Sequence, residues 1–190
     1  MKYATTIGVV ILFFLSCKQS QKRNSNSFSS VKIETIVEDS LLNIRAIEFN
    51  NNKLMAVSSI GNRYTIDVDT KKVLIDRVST DTINFRASAL VNNTFFCLSI
   101  GNPALLFKDD VLVYKESHPS VFYDALHFWN SNEGMAVGDP IGGCMSVIIT
   151  RDGGETWHKT PCESLPLAND GEAAFAASDT NIAIVENQAW

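Results

Sequence analysis

The 190-residue chain has only four cysteines and three histidines, and their spacing removes several chemistries. No Cys-x-x-Cys, Cys-x-x-Cys-His or Gly-x-Gly-x-x-Gly occurs, so the motifs of a redox dithiol, a c-type haem and a dinucleotide cradle are missing. His118, His127 and His158 lack metal-ligand spacing and read as turn or surface residues. No metal and no cofactor is expected. Gly138-Asp139-Pro140-Ile141-Gly142-Gly143 is not followed by Lys-Ser/Thr, so it reads as a turn and not as a phosphate cradle. No segment sustains a 3.6-residue apolar period, which argues against a helical fold.

Positive charge is scarce in the body of the chain. The basic residues Lys2, Lys18, Lys22 and Arg23 precede residue 31, so residues 31–190 hold 12 of the 16 basic and all 21 acidic residues, a formal charge of −9. So acidic a body excludes nucleic acid as an expected partner. With 45% hydrophobic and 19% charged residues, the chain has enough apolar material for one globular domain.

The N-terminus differs from the rest. Met1-Lys2 gives a positive start, Ile7 to Leu15 is apolar, and the run ends in Phe14-Leu15-Ser16-Cys17; this reads as a secretory signal over residues 1–17. The run is well short of the roughly 20 residues that span a bilayer. A small residue directly before a Cys resembles the lipobox of bacterial lipoproteins, with Phe14 in place of the usual Leu. The resemblance implies lipidation at Cys17 and a membrane-anchored, exported protein of the cell envelope, facing the periplasm. Residues 18–30 are rich in Ser, Asn, Gln and Lys/Arg, a composition suited to a flexible tether.

Residues 31–190 repeat. Ile44-Arg45-Ala46-Ile47-Glu48-Phe49, Phe85-Arg86-Ala87-Ser88-Ala89-Leu90, Tyr123-Asp124-Ala125-Leu126-His127-Phe128 and Glu172-Ala173-Ala174-Phe175-Ala176-Ala177 each precede turn residues and a second apolar run. Ala46, Ala87, Ala125 and Ala173 recur at intervals of 41, 38 and 48 residues, a period that means a repeat architecture. Several short strands in about 40 residues predict four-stranded antiparallel blades of an all-β propeller. The Ala-bearing strands are expected innermost, and the outer hairpins at 64–69 with 73–78, 104–107 with 111–115, and 145–150 with 156–160. Residues 31–38 (VKIETIVE) read as a lone strand, and the fourth unit stops after two. Three full blades with a partial first and last do not close a ring of the usual size, so the expectation is the N-terminal part of a longer propeller, or closure by oligomerisation.

Thr150-x-Asp152-x-Gly154-x-Thr156-Trp157 matches, at every defined position, the Asp box, the bacterial neuraminidase repeat. The wider stretch GMAVGDPIGG…IITRDGGETW…GEAAFAAS resembles exported propellers of Bacteroidota-type bacteria that are similar to the photosystem II stability and assembly factor. That group belongs with the sialidase- and sortilin-type propellers. The resemblance implies that the box clasps an outer hairpin, far from the axial mouth where ligands bind. If the hairpin turns about Gly153, Cys144 and Cys162 face one another across it, which predicts a disulfide in an oxidising compartment. Cys97 lies in an apolar run and reads as a buried thiol.

A sialidase needs an arginine cluster, a Tyr–Glu nucleophile pair and an Asp acid. Arg45 and Arg86 head successive inner strands, but the Arg-Ile-Pro signature is missing and the next two equivalent positions are Asp124 and Glu172. The four read as an axial lining and as the candidate binding surface, with no catalytic residue assigned. The leading expectation is a non-catalytic, lipid-anchored propeller that binds a protein or glycan partner. A sialidase-like hydrolase with residues supplied beyond Trp190 is the alternative, and an oxidoreductase, on the label some similar proteins carry, comes third.

Overall fold

The computed structural model describes residues 28–175 and 179–190. The apolar N-terminal run, Cys17 and most of the tether lie outside them, as do Ala176 and Ala177 of the fourth repeat. The chain divides into two units, residues 1–35 and 36–190. In the described part of the first, residues 28–35, there is no strand, and Val31 and Ile33 are exposed. The lone strand expected over 31–38 does not form. No sheet pairs with this segment, so its backbone groups have no ladder to join.

Among the described residues of the second unit there are fourteen strands and no α-helix. Twelve of the strands make three four-stranded antiparallel sheets, each wound in simple order. The first blade is β1 (Ile44–Asn50), β2 (Lys53–Ser58), β3 (Asn62–Asp67) and β4 (Val73–Arg77). The second is β5 (Phe85–Val91), β6 (Thr94–Ser99), β7 (Ala104–Lys108) and β8 (Val111–Glu116). The third is β9 (Tyr123–Phe128), β10 (Gly134–Ile141), β11 (Cys144–Thr150) and β12 (His158–Lys159). The expected strand roles and outer hairpins are therefore present in all three blades.

Turn chemistry fixes the register. Asn51-Asn52 and Asn92-Asn93 close the first hairpins of blades one and two, all with positive φ between 48° and 68°. Two consecutive left-handed residues make the tight turn that matches strand twist, and Asn tolerates that conformation.

Apolar alternation then stacks the blades. One cluster (Val57, Ile83, Phe85, Phe95, Cys97, Phe107) fills the boundary between blades one and two. A second (Phe96, Leu98, Leu106, Tyr123, Leu126, Ile148, Trp157) fills that between blades two and three. Salt bridges seal both rims: Arg63 reaches Asp76 and, on the next blade, Asp110, while Lys108 reaches Glu155. The small residues Ala46, Ala87 and Ala125 are all buried on the inner strands β1, β5 and β9, where blades crowd together.

The fourth repeat departs from expectation. Among the described residues, 172–175 form no strand and the strands that follow are the two-residue pair β13 (Ile184–Val185) and β14 (Gln188–Ala189).

Candidate functional site

One irregularity recurs at the same place in every blade. Pairing jumps from Ile44↔Ser58 to Ala46↔Val57, from Phe85↔Ser99 to Ala87↔Leu98, and from Tyr123↔Gly138 to Ala125↔Val137. The ladder register skips one residue on each inner strand: Arg45, Arg86 and Asp124. Such a bulge re-aims the side chain of the extra residue. The structure thus presents three of the four expected axial residues through one shared device, which period counting did not reveal. Glu172 does not join them: it is exposed, lies in a turn and accepts a hydrogen bond from the Asn169 amide at 2.7 Å.

Asp124 is the most unusual of the three. It is only 1% exposed, and neither carboxylate oxygen accepts a hydrogen bond. Burial pushes its proton affinity up to a pKa of about 7; the charge of Asp139 adds to the rise and that of Arg86 opposes it. Arg86 acts on it only through space, so the lining is not closed by an ion pair at Asp124. Arg45 is half-buried, and its Nε is also without a partner.

Two residues below the Asp124 bulge lies a second acidic group that the sequence reading missed. Asp179 accepts hydrogen bonds from the amides of Ser88 (2.8 Å) and Leu126 (3.0 Å), joining the inner strands of blades two and three. Burial lifts its pKa to about 8 against the effect of those amides, and the nearby Glu48 adds to the rise. Glu48 itself is raised by burial, partly offset by hydrogen bonds from Ser88 and Leu90.

The residues of the Thr150–Trp157 stretch sit at the outer hairpin of blade three. Asp152 accepts from the Thr150 hydroxyl (2.8 Å), the Thr156 amide (3.0 Å) and the Thr156 hydroxyl (2.6 Å), and the Thr150 hydroxyl in turn accepts from the Gly154 amide (2.9 Å). These bonds hold the Asp152 carboxyl down at a pKa of about 2. Trp157 is buried, edge-on to Phe128. The polar groups of Thr150, Asp152, Gly154 and Thr156 are thus bonded within their own hairpin, while Trp157 packs into the core between blades two and three.

Cys144 and Cys162 are bonded, with Cα atoms 5.6 Å apart, but not by the expected register. The ladder pairs Ile148↔Lys159 and Ile149↔His158, so the turn is centred between Gly153 and Gly154, both at positive φ. The strand ends at Lys159, before Pro161, and Cys162 starts a 3-10 turn, Cys162–Ser164, that carries its sulfur back to Cys144. Cys97 is a buried free thiol whose pKa is pushed far up by burial.

A Tyr–Glu pair does exist, at the boundary of blades two and three. The Tyr123 hydroxyl donates to Glu116 at 2.7 Å. Tyr123 is fully buried, however, and its hydroxyl is held far above its ordinary pKa by burial, so it has neither the access nor the acidity of a nucleophile. Among the described residues, no group of three or more His, Cys, Asp and Glu could hold a metal ion.

The fold is similar to that of a solved structure, the RRP9 WD40 repeats, with a TM-score of 0.53 over 73% of this chain and 42% of that one, at 9% identity. The fold is a β-propeller fold. Other similar structures include YCF48 bound to D1 peptide (TM-score 0.48, 17% identity, 66% of this chain and 42% of that one). YCF48 from Cyanidioschyzon merolae is also similar (0.47, 14%, 69% and 44%). The chain spans about two-fifths of the length of these structures. No protein-family model matches the chain, and no curated protein matches it.

Proposed function

We propose that this protein is a non-catalytic propeller that binds a protein partner at the end of the blades marked by Arg45, Arg86 and Asp124. We also propose that it is held at a bacterial envelope membrane by lipid on Cys17. The observation that carries the binding reading is the shared bulge, which turns a charged residue out of the ladder at the same position of three successive blades. Of these, Arg45 and Asp124 have buried polar atoms without a hydrogen bond, and such atoms incur a desolvation cost that a partner would relieve. The clasped Asp152, with its acceptors taken by its own hairpin, supports an Asp-box hairpin that shapes the blade and takes no part in binding. Membrane attachment is supported by the lipobox resemblance and the polar tether of residues 18–30.

The experiment is cross-linking of the full chain in envelope membranes, comparing wild type with the triple variant Arg45→Ala, Arg86→Ala, Asp124→Asn and with Glu172→Gln. Loss of a specific cross-linked protein in the triple variant, with retention in Glu172→Gln, supports the reading. Cross-links unchanged in the triple variant reject it. Cys17→Ser should move the protein from the membrane to the soluble fraction and abolish labelling by a palmitate analogue.

A further inference from the structure

The third blade carries a more specific chemistry than the other two. Its bulge residue is an acid where the others have arginine, and that acid is buried with both oxygens unsatisfied. A carboxyl group in this state loses its solvation without gaining a donor. Asp139 is its neighbour in space as well as through the ladder. Gly138, the residue before Asp139, pairs with Tyr123, the residue before Asp124. A Cβ on Gly138 would lie 2.1 Å from the Phe122 carbonyl oxygen, so the two strands approach unusually closely at this point. Asp139 also lines an open cavity of about 430 Å³ together with Ser120, Asn169, Asp170 and Glu172. Three carboxylates and no cationic side chain line that cavity. Asp124 itself does not line the cavity; it is buried beside Asp139, whose Oδ1 accepts from the Ala174 amide at 2.9 Å.

We propose that this end of blade three receives a protonated nitrogen, a lysine ammonium or an arginine guanidinium of the partner, with Asp124 and Asp139 as its acceptors. The proposal rests on the binding reading given above and names the group the partner must bring. A guanidinium or ammonium supplies several N–H donors at once and can satisfy two neighbouring carboxyls. The formal charge of −9 on residues 31–190 draws such a group inward. The elevated proton affinity of Asp124, caused by burial and by Asp139 and opposed by Arg86, makes the binding proton-linked. A bound cation favours the ionised carboxyl, so the site takes the basic group with loss of a proton and binds it more tightly at high pH.

The test uses the full chain with ¹³C-labelled aspartate carboxyls, titrated by NMR with and without N-acetyl-arginine amide, N-acetyl-lysine amide and, as a neutral control, N-acetyl-glutamine amide. The Asp124 signal is assigned with Asp124→Asn. The basic probes should lower the Asp124 midpoint by at least one pH unit at saturation, and bind at least tenfold more tightly at pH 8 than at pH 5. Glutamine amide should leave the midpoint unmoved, and Asp139→Asn should weaken the basic probes severalfold. An Asp124 midpoint indifferent to both basic probes in the wild-type protein overturns the proposal, and that reading needs no variant to fold. Equal binding of the basic probes to Asp124→Asn overturns it too. Because the probes are small molecules, a positive titration with no cross-linked protein would reject the partner reading while leaving this site in place.

Discussion

Tyr123 and Glu116 link the second and third blades through a part-buried hydrogen bond of 2.7 Å. Tyr123 opens the inner strand of blade three and Glu116 closes the outer strand of blade two. The same carboxylate also accepts from the Tyr114 hydroxyl at 2.9 Å and from Lys159, whose ammonium lies over the Tyr123 ring. Three side chains from three strands thus converge on one acceptor, and each makes the geometry of the others better defined.

Removing that acceptor should therefore cost more than a surface ion pair. Glu116→Ala strands the Tyr123 hydroxyl in a buried site and is expected to destabilise by about 2–3 kcal/mol, or roughly 5–10 °C in Tm. Glu116→Gln, which keeps one oxygen, should fall between. Burial opposes ionisation of Glu116, but hydrogen bonds from Tyr123, Lys159 and Tyr114 outweigh it and hold the carboxyl below its ordinary value of 4.5. The contribution is therefore complete above that value and fades as pH falls below it. Thermal melts of wild type and Glu116→Gln should converge in acid.

At the outer hairpin of blade three the backbone needs glycine for two separate reasons. Gly154 has φ +80°, and a Cβ there would sit 2.3 Å from Cε1 of Phe96. Gly142 has φ +70° with nothing within 4 Å. Gly142→Ala should cost only the left-handed penalty, about 1–2 kcal/mol. Gly154→Ala adds the clash with a buried ring and should cost about 3–5 kcal/mol. Equal losses for the two variants in denaturant titrations would contradict the close contact with Phe96.

Asp152 makes an opposite case to Asp124, because hydrogen bonds stabilise its charged form. Its carboxyl is held at about 2 by the Thr156 hydroxyl, the Thr156 amide and the Thr150 hydroxyl. The stabilisation is present above the ordinary value of 3.8 and is lost as pH falls through about 2. The Tm gap between wild type and Asp152→Asn should be constant from pH 5 to pH 7 and close on approach to pH 2.

The Cys144–Cys162 bond ties the 3-10 turn to the start of β11 across a sequence separation of 18. Closing a loop of that size is worth about 3 kcal/mol on the chain-entropy account. Reduction should lower Tm, and Cys144→Ser with Cys162→Ser should reproduce the loss. In unfolded but unreduced protein, Cys97 should be the thiol that reacts among Cys97, Cys144 and Cys162.

The strand pattern was legible because it is local. Asn pairs at the hairpins and alternating apolar runs determine twelve strands within a few residues. The bulges were not legible, because Arg45, Arg86 and Asp124 align by number whether or not their strands skip a partner; the skip is visible only in the ladder. The Cys144 pairing was reached from a turn centre half a residue off, since two adjacent glycines leave the pivot undetermined. The Glu116 cluster joins residues 43 apart across a blade boundary, and no spacing rule brings Glu116, Tyr123 and Lys159 together. Residues 172–175 of the fourth repeat have the composition of an inner strand but form none, because strand formation depends on a neighbour to pair with.

Asp124 should make the protein less stable as pH rises. Burial raises its folded-state value to about 7, with Asp139 contributing and Arg86 opposing, against an ordinary value of 3.8. The folded chain keeps this proton over a range where the unfolded chain has released it. The stabilising effect of the proton is therefore fully present below 3.8 and is lost as pH rises through about 7. Asp124→Asn imitates the protonated group and removes the titration. Relative to wild type, the variant should gain stability steadily from pH 4 to pH 7 and hold a constant advantage above pH 8, as measured by urea midpoints at fixed ionic strength. A wild-type stability that climbs over the same interval after Asp124→Asn is subtracted would mean that Asp124 is ionised and solvated in the native state, and that the bulge exposes it.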